Sequence, residues 1–314
     1  MVTLVLLSLL GFLVLFLGAF EQKRAILPVA VIGLVAAFVF NALDWDTNMV
    51  YYGMMRYDNY AVSFVGLMIF SVTMIMLMAS YHFRNEDSRI ADIYALMIFV
   101  LVGALIMVSY SNLVMLFIGI EILSIALYIL AGSRRMNLAS NEASLKYFLM
   151  GSFASGFLLF GIALMYGITG SFDLLVISDY VNGNENLPVI FITGVLLILI
   201  GFTFKIGAVP FHFWTPDVYQ GTPTLLTAFM ATVVKTAGIA AFYHLFDTCF
   251  SSIDGHWFNI LWAISAATIL LGNISAVMQN EAKRMLAWSS VAHAGYLLIP
   301  ILALNEMSAS AIFY

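Results

Sequence analysis

Ten runs of predominantly apolar residues divide the chain, each near the length that carries an α-helix across a bilayer. One crossing needs about 20 such residues. The runs are Thr3–Phe20, Ala25–Leu43, Tyr60–His82, Ile90–Ser109, Leu113–Ala131, Glu142–Ile168, Pro188–Phe204, Pro223–Phe246, Trp257–Met278 and Met285–Leu304. The seventh continues, interrupted, to about Tyr219, and an eleventh begins at Ser308–Tyr314. Only Tyr110–Asn112 separates the fourth from the fifth, so that boundary is the least sharply marked. Backbone polar groups in hydrocarbon must be satisfied within the protein, so runs of this kind fold as helices. Of the 314 residues 63% are hydrophobic and 9% charged, against about 25% charged in a soluble domain. The expected fold is an all-α polytopic membrane protein with ten complete transmembrane helices, the start of an eleventh, and a broken helix seven. The N-terminus enters its first apolar run without a basic lead-in or a cleavage site, and reads as a retained helix rather than a signal peptide.

The loops alternate in charge. One set carries Lys23 and Arg24, Arg84 and Arg89, Arg134 and Arg135 with Lys146 nearby, then Lys283 and Arg284. The other carries Asp44, Asp46 and Asp58, then Asp173, Asp179 and Glu185, then Asp247 and Asp254, with Arg56 its one basic residue. The positive-inside rule makes the first set cytoplasmic and puts the N-terminus outside. A missed or invented helix would scramble this alternation. The longest loop, Thr169–Leu187, is too short for a domain. The single cysteine, Cys249, excludes a disulfide within the chain and a four-cysteine iron–sulfur cluster. No glycine-rich phosphate cradle is present.

Three charges remain inside apolar runs: Glu121, Lys205 and Lys235. Each must face the protein interior, find a partner or change protonation. Lys205 stands in GFTFKIGAVPFHFWTPDVYQG, flanked by Gly201 and Gly207 and followed by Pro210. Two glycines weaken a helix, and a proline lacks the N–H that a helix interior uses. A charge on an interrupted helix is tolerated only inside protein or beside a water-filled cavity, which points to an ion pathway. The alternative for Lys205 is snorkelling to a surface. For the three together it is a structural ion pair between Glu121 and one lysine. Two lysines and a glutamate within reach of one another would make groups whose proton affinity depends on which partner is close, as a proton relay requires.

Other polar residues suit two roles. His212 and Asp217, beyond the interruption, fit an inward relay or an interface. His293, among small residues of the tenth run, fits a relay or a satisfied buried histidine. His244 and Asp247 sit near an outer helix end and are expected to be solvated. Glu142 and Lys146 are spaced i,i+4, and with Asn141 as N-cap they would support the start of the sixth helix. Gly151/Ser155 and Ser152/Gly156 suit close helix packing.

At these residues the chain resembles the antiporter-like membrane subunits of respiratory complex I. EILSIALYILAG around Glu121, NEASLKYFLMGSFASGFLLFG, FKIGAVPFHFWTPDVYQGTPT around Lys205, ATVVKTAG around Lys235 and MLAWSSVAHAGYLL carry the likeness, which runs along essentially the whole chain. LSIALYILAG and EASLKYF are most similar to the subunit N type, rather than to M, L or the multisubunit cation/proton antiporters. The resemblance implies about fourteen helices with two inverted five-helix repeats. It divides this chain into 1–83 (three helices), 84–250 (first repeat, helices four to eight) and 251–314 (start of the second). It implies that Glu121, Lys205 and Lys235 are the proton-relay residues, with His212, Asp217 and His293 as secondary candidates. A second broken, lysine-bearing helix would lie beyond Tyr314, so the C-terminal part of the fold is expected to be missing; a chain complete at 314 residues would put pumping in doubt.

It also implies no cofactor or metal in this chain. NADH, flavin, iron–sulfur clusters and quinone would belong to partner subunits. The expected partners are other membrane-arm subunits and the lipid of a bacterial inner membrane, with no nucleic acid. The chain would count as part of an NADH:quinone oxidoreductase that translocates protons. A sodium/proton antiporter subunit without redox coupling and a purely structural membrane subunit are the rival readings. A bis-histidine haem protein is a third.

Overall fold

The computed structural model describes residues 2–82, 90–184 and 186–314. Arg84, Arg89 and Glu185 therefore lie outside the described residues. Ten helices long and apolar enough to cross a membrane are present among them. They are Val2–Ala19, Lys23–Leu43, Asn59–Ala79, Ile90–Ser109, Leu113–Ala131, Leu138–Thr169, Val189–Ile206, Thr224–Cys249, Ser251–Val277 and Ala282–Ala303, here called spans one to ten. A further helix, Ser308–Phe313, follows. The narrow gap between spans four and five is real. Asn112 is extended there and caps span five, its side chain accepting from the Val114 N–H.

Span six begins four residues earlier than the apolar pattern suggests (Leu138 against Glu142) and is 32 residues long. Its N-cap is Asn137, whose side chain accepts from Ala139 N and Ser140 N. Asn141 is therefore not the cap; already inside the helix, it donates to the Arg135 carbonyl. The all-helical expectation also misses a hairpin between spans two and three, with Met49–Tyr51 antiparallel to Met55–Tyr57. Its turn places Tyr52 and Gly53 at positive φ, the geometry that matches the twist of paired strands. The Tyr57 hydroxyl donates to the Asn41 side chain. Burial first, then the charge of Asp44, raises the Tyr57 pKa and keeps that donor proton in place.

Span four is buried on nearly every side from Ala91 to Ser109. Its uniformly apolar sequence explains this, since a helix with no polar face is stable only at the centre of a bundle or in lipid. Hydrocarbon outside gives no hydrophobic drive to helix pairing, so close packing must hold the bundle together. At the span four–five crossing a side chain on Gly103 would come within 2.8 Å of the Gly119 carbonyl. At the span six–seven crossing one on Gly161 would come within 2.7 Å of the Gly194 carbonyl. Gly151 packs closely as well, under Tyr128. Ser152 and Gly156 do not, because they lie on the outer face of span six, where Gly156 has nothing within 4 Å.

The loops gather at two ends. At the acidic end Ser111 N donates to Met54 O, Leu174 N to Ser111 O, and Ser178 Oγ to Thr248 O. That joins the hairpin and the loops after spans four, six and eight. At the basic end Arg134 and Lys283 lie close enough for their charges to act on each other. His244, expected to be solvated near the acidic end, is instead half-buried between the rings of Tyr60 and Tyr110. Its Nε2 lies 3.1 Å from the Tyr110 carbonyl. Tyr60, at the start of span three, and Tyr110, just after span four, cover what would otherwise be an open helix end. Asp247 is exposed, as expected.

Candidate functional site

The interruption of span seven is closed by hydrogen bonds from its surroundings. The helix ends at Ile206, four residues before Pro210, because Gly207 turns left-handed at φ 75°. A side chain there would approach Thr215 Oγ1 to 2.5 Å as well as being strained. Gly207 N donates to Phe204 O and Ala208 N to Thr203 O, a common way to end a helix. Val209 N donates to Thr268 Oγ1 of span nine at 2.9 Å, and Trp214 Nε1 to Phe204 O at 3.1 Å. A half-helix, Trp214–Gly221, then resumes. Gly201 is less a weak point than a packing position, since a side chain there would meet Leu158 of span six at 2.7 Å.

This arrangement puts Lys205 on the last turn before the break, 6% exposed, between spans five, six and eight. Snorkelling is thereby excluded. Its Nζ donates to Ser124 Oγ at 2.8 Å. Ser124 sends its own proton back to the Ile120 carbonyl, so its lone pairs face the lysine. Glu121 lies one turn earlier on the same helix, within electrostatic reach of Lys205. It forms no ion pair with Lys205 at 4 Å or less, and its Oε1 is buried without a hydrogen-bond partner. Beside Lys205 and Ser124 is a chamber of about 20 Å³, lined also by Tyr128, Tyr147 and Gly151. That is room for roughly one water. Tyr147, 1% exposed, has a hydroxyl with no partner.

Lys235, also 6% exposed, follows a single turn of π-helix, Met230–Val234. Such insertions re-aim side chains and are frequent at functional sites. The Lys235 ammonium donates to the Ser290 carbonyl of span ten and lies 6.0 Å from the centre of the Tyr219 ring. It lines a cavity of about 620 Å³ together with Ser289, Ser290 and His293. His293 is exposed on span ten in this structure. His212 is 6% exposed, with its ring 5.3 Å from that of Trp288 and its Nδ1 without a partner.

Asp217 ties three elements together. It accepts from Lys146 of span six at 2.8 Å and from Arg284 of span ten at 2.9 Å. Lys146 also pairs with Glu142 at 2.7 Å, the i,i+4 pair legible in the sequence. Lys283 donates to the carbonyls of Gln220 and Thr222 at the end of the half-helix, where a cation complements the terminal carbonyls. Sequence reasoning reached the lysines and the glutamate but passed over Ser124, Ser290, Tyr147 and the capping role of Lys283. A serine three residues after a membrane glutamate was the available signal for the first.

Comparison with known proteins gives a consistent picture. Residues 109–314 match the family model described as NADH:quinone oxidoreductase/Mrp antiporter, TM. The chain is 44% identical over 313 residues to NADH-quinone oxidoreductase subunit N of Cytophaga hutchinsonii, covering 99% of this chain and 68% of that protein. Among solved structures, a chain of respiratory complex I from Thermus thermophilus, determined with bound aureothin, superposes with a TM-score of 0.82 at 31% identity. The match covers 96% of this chain and 65% of that one, so this chain spans just under two thirds of its length. A chain of the Mrp complex from Dietzia sp. superposes at 0.83 with 18% identity, covering 100% of this chain and 62% of that one. At that identity the likeness is one of fold.

Proposed function

We propose that this chain, which belongs to the NADH:quinone oxidoreductase/Mrp antiporter transmembrane family as a relative of subunit N, moves protons within the membrane arm of an NADH:quinone oxidoreductase. The observation that carries this reading is Lys205: a buried ammonium at a helix break, with one hydrogen-bond partner and a carboxylate in reach but out of contact. Isolated charges at bilayer depth are costly and are kept where ion movement needs them. Glu121 and Lys205 form the switching pair, and Lys235, facing Ser290 and the cavity with His293, passes the proton along the membrane plane. His212, with its free buried nitrogen, supports uptake from the basic end. Asp217 has a positioning role, because both its oxygens are occupied.

In this reading redox chemistry belongs to partner subunits that hold flavin, iron–sulfur clusters and the quinone site, and this chain counts as part of the enzyme without a redox centre of its own. Its neighbours are other membrane-arm subunits in a bacterial plasma membrane. The basic end faces the cytoplasm and the N-terminus the outside. The segments 1–83, 84–250 and 251–314 serve as a preceding three-helix unit, a first antiporter-like repeat and the start of a second. The test is Lys205→Ala in the assembled complex. Loss of proton translocation supports the relay, and unchanged translocation leaves a structural subunit. A sodium/proton antiporter would be marked by purification without NADH oxidation activity or flavin.

A further inference from the structure

Lys205 has three N–H donors to place in a nearly dry interior. It uses one, on Ser124 Oγ, while a carboxylate oxygen of Glu121 stays unpartnered on the adjacent turn. That is an unexpected choice for a buried ammonium, because a charge-assisted bond to a carboxylate is the stronger of the two. Three features make the serine an acceptor in its own right. Its proton is committed to the Ile120 carbonyl. It is 1% exposed, so water does not compete for its lone pairs. It lines the same small chamber as Lys205, whereas Glu121 does not line it.

We infer that Ser124 is a latch for Lys205: it holds the ammonium away from Glu121, and the relay switches when Lys205 leaves the serine for the carboxylate. The inference rests on the proton-relay reading above and adds the second position of the switch. A lysine with only Glu121 available would settle there and stay. A hydroxyl one turn away offers a weaker but fully desolvated alternative, which narrows the gap between the two arrangements. No bond is made or broken in the latch itself, only a hydrogen bond exchanged. Ser124 is thus a positioning residue.

The test reads the Glu121 carboxyl directly. A hydrophobic carbodiimide, dicyclohexylcarbodiimide, modifies membrane-buried carboxyl groups that are free, and spares a carboxylate held by an ammonium. Labelling of Glu121 in the intact membrane-bound complex is followed by mass spectrometry for wild type, Ser124→Thr, Ser124→Val and Ser124→Ala. The expected result is labelling in wild type and Ser124→Thr. Labelling should fall about tenfold in Ser124→Val and Ser124→Ala, the shift that loss of a hydrogen bond to a charged group sets. Thr and Val share a shape, so a packing role would not separate them. If Val disrupts assembly, the Ala variant is read against Thr. Absence of labelling in wild type, equal labelling in all four, or a fall in Thr matching Val each overturn the latch. The readout is independent of pumping. A Lys205→Ala complex that pumps normally would remove the relay reading without deciding the latch.

Discussion

The indole Nε1 of Trp214 donates to the carbonyl of Phe204 at 3.1 Å, tying the half-helix to the last full turn of span seven. Trp214 also stacks on Tyr147 of span six with ring centres 4.7 Å apart. Trp214→Phe should keep most of the stack and lose the donor. The Phe204 carbonyl retains Gly207 N, so it is not orphaned and the cost should be about 0.5–1.5 kcal/mol. Trp214→Ala removes a fully buried ring and should cost about 3–5 kcal/mol. Thermal denaturation of the purified complex separates the two; equal losses would mean that the donor matters as much as the ring.

Gly207 stands at φ 75° with Thr215 Oγ1 where a side chain would go. Gly207→Ala should destabilise by about 1–2 kcal/mol from the left-handed backbone alone, with the contact to Thr215 in addition. Adding Thr215→Gly should recover the contact part and leave the backbone part. A double variant as stable as wild type would show that the left-handed turn is not required.

The charges around Asp217 are a third to two fifths exposed, so each ion pair should contribute at most about 1 kcal/mol and weaken with salt. Double-mutant cycles that combine Asp217→Asn with Lys146→Gln, and Asp217→Asn with Arg284→Gln, in low and high salt measure this. Coupling unaffected by salt would indicate a buried network instead. Lys283→Met should act differently, loosening the half-helix end whose carbonyls it holds. Faster hydrogen exchange confined to the last turn of Trp214–Gly221 is the expected sign.

Single cysteines at Arg134 and Lys283 should be labelled by an impermeant thiol reagent from the cytoplasmic side, and cysteines at Asp173 and Asp254 from the outside. The loops carrying these residues already separate to two ends of the bundle. Labelling of Arg134→Cys and Lys283→Cys from opposite sides would contradict the fold, and labelling of both from the outside would reverse only its orientation.

Much of this architecture is legible in the chain because hydrocarbon leaves few options. Apolar length marks the spans, and the alternation of Lys/Arg with Asp in the loops orders them. The three buried charges stand out against apolar neighbours. What was hidden depends on tertiary contact. The hairpin at Met49–Tyr57 is short and earns its stability by pairing with Tyr110 and Ser111. His244 looks like a helix-end residue until Tyr60 and Tyr110 close over it. Asn137 and Asn141 are equally good caps by composition, and only backbone geometry chooses between them. Ser124 is one of many serines that bond back to their own helix, and its role appears only when Lys205 arrives from a helix 81 residues away in sequence.

The central claim is that Lys205 carries protons. Its most direct test is NADH-driven acidification of inverted membrane vesicles containing the complex with Lys205→Ala, normalised to assembled complex. Translocation is expected to fall by about a hundredfold, the scale on which loss of an essential proton-transfer group acts. Acidification at the wild-type rate, with assembly intact, would contradict it.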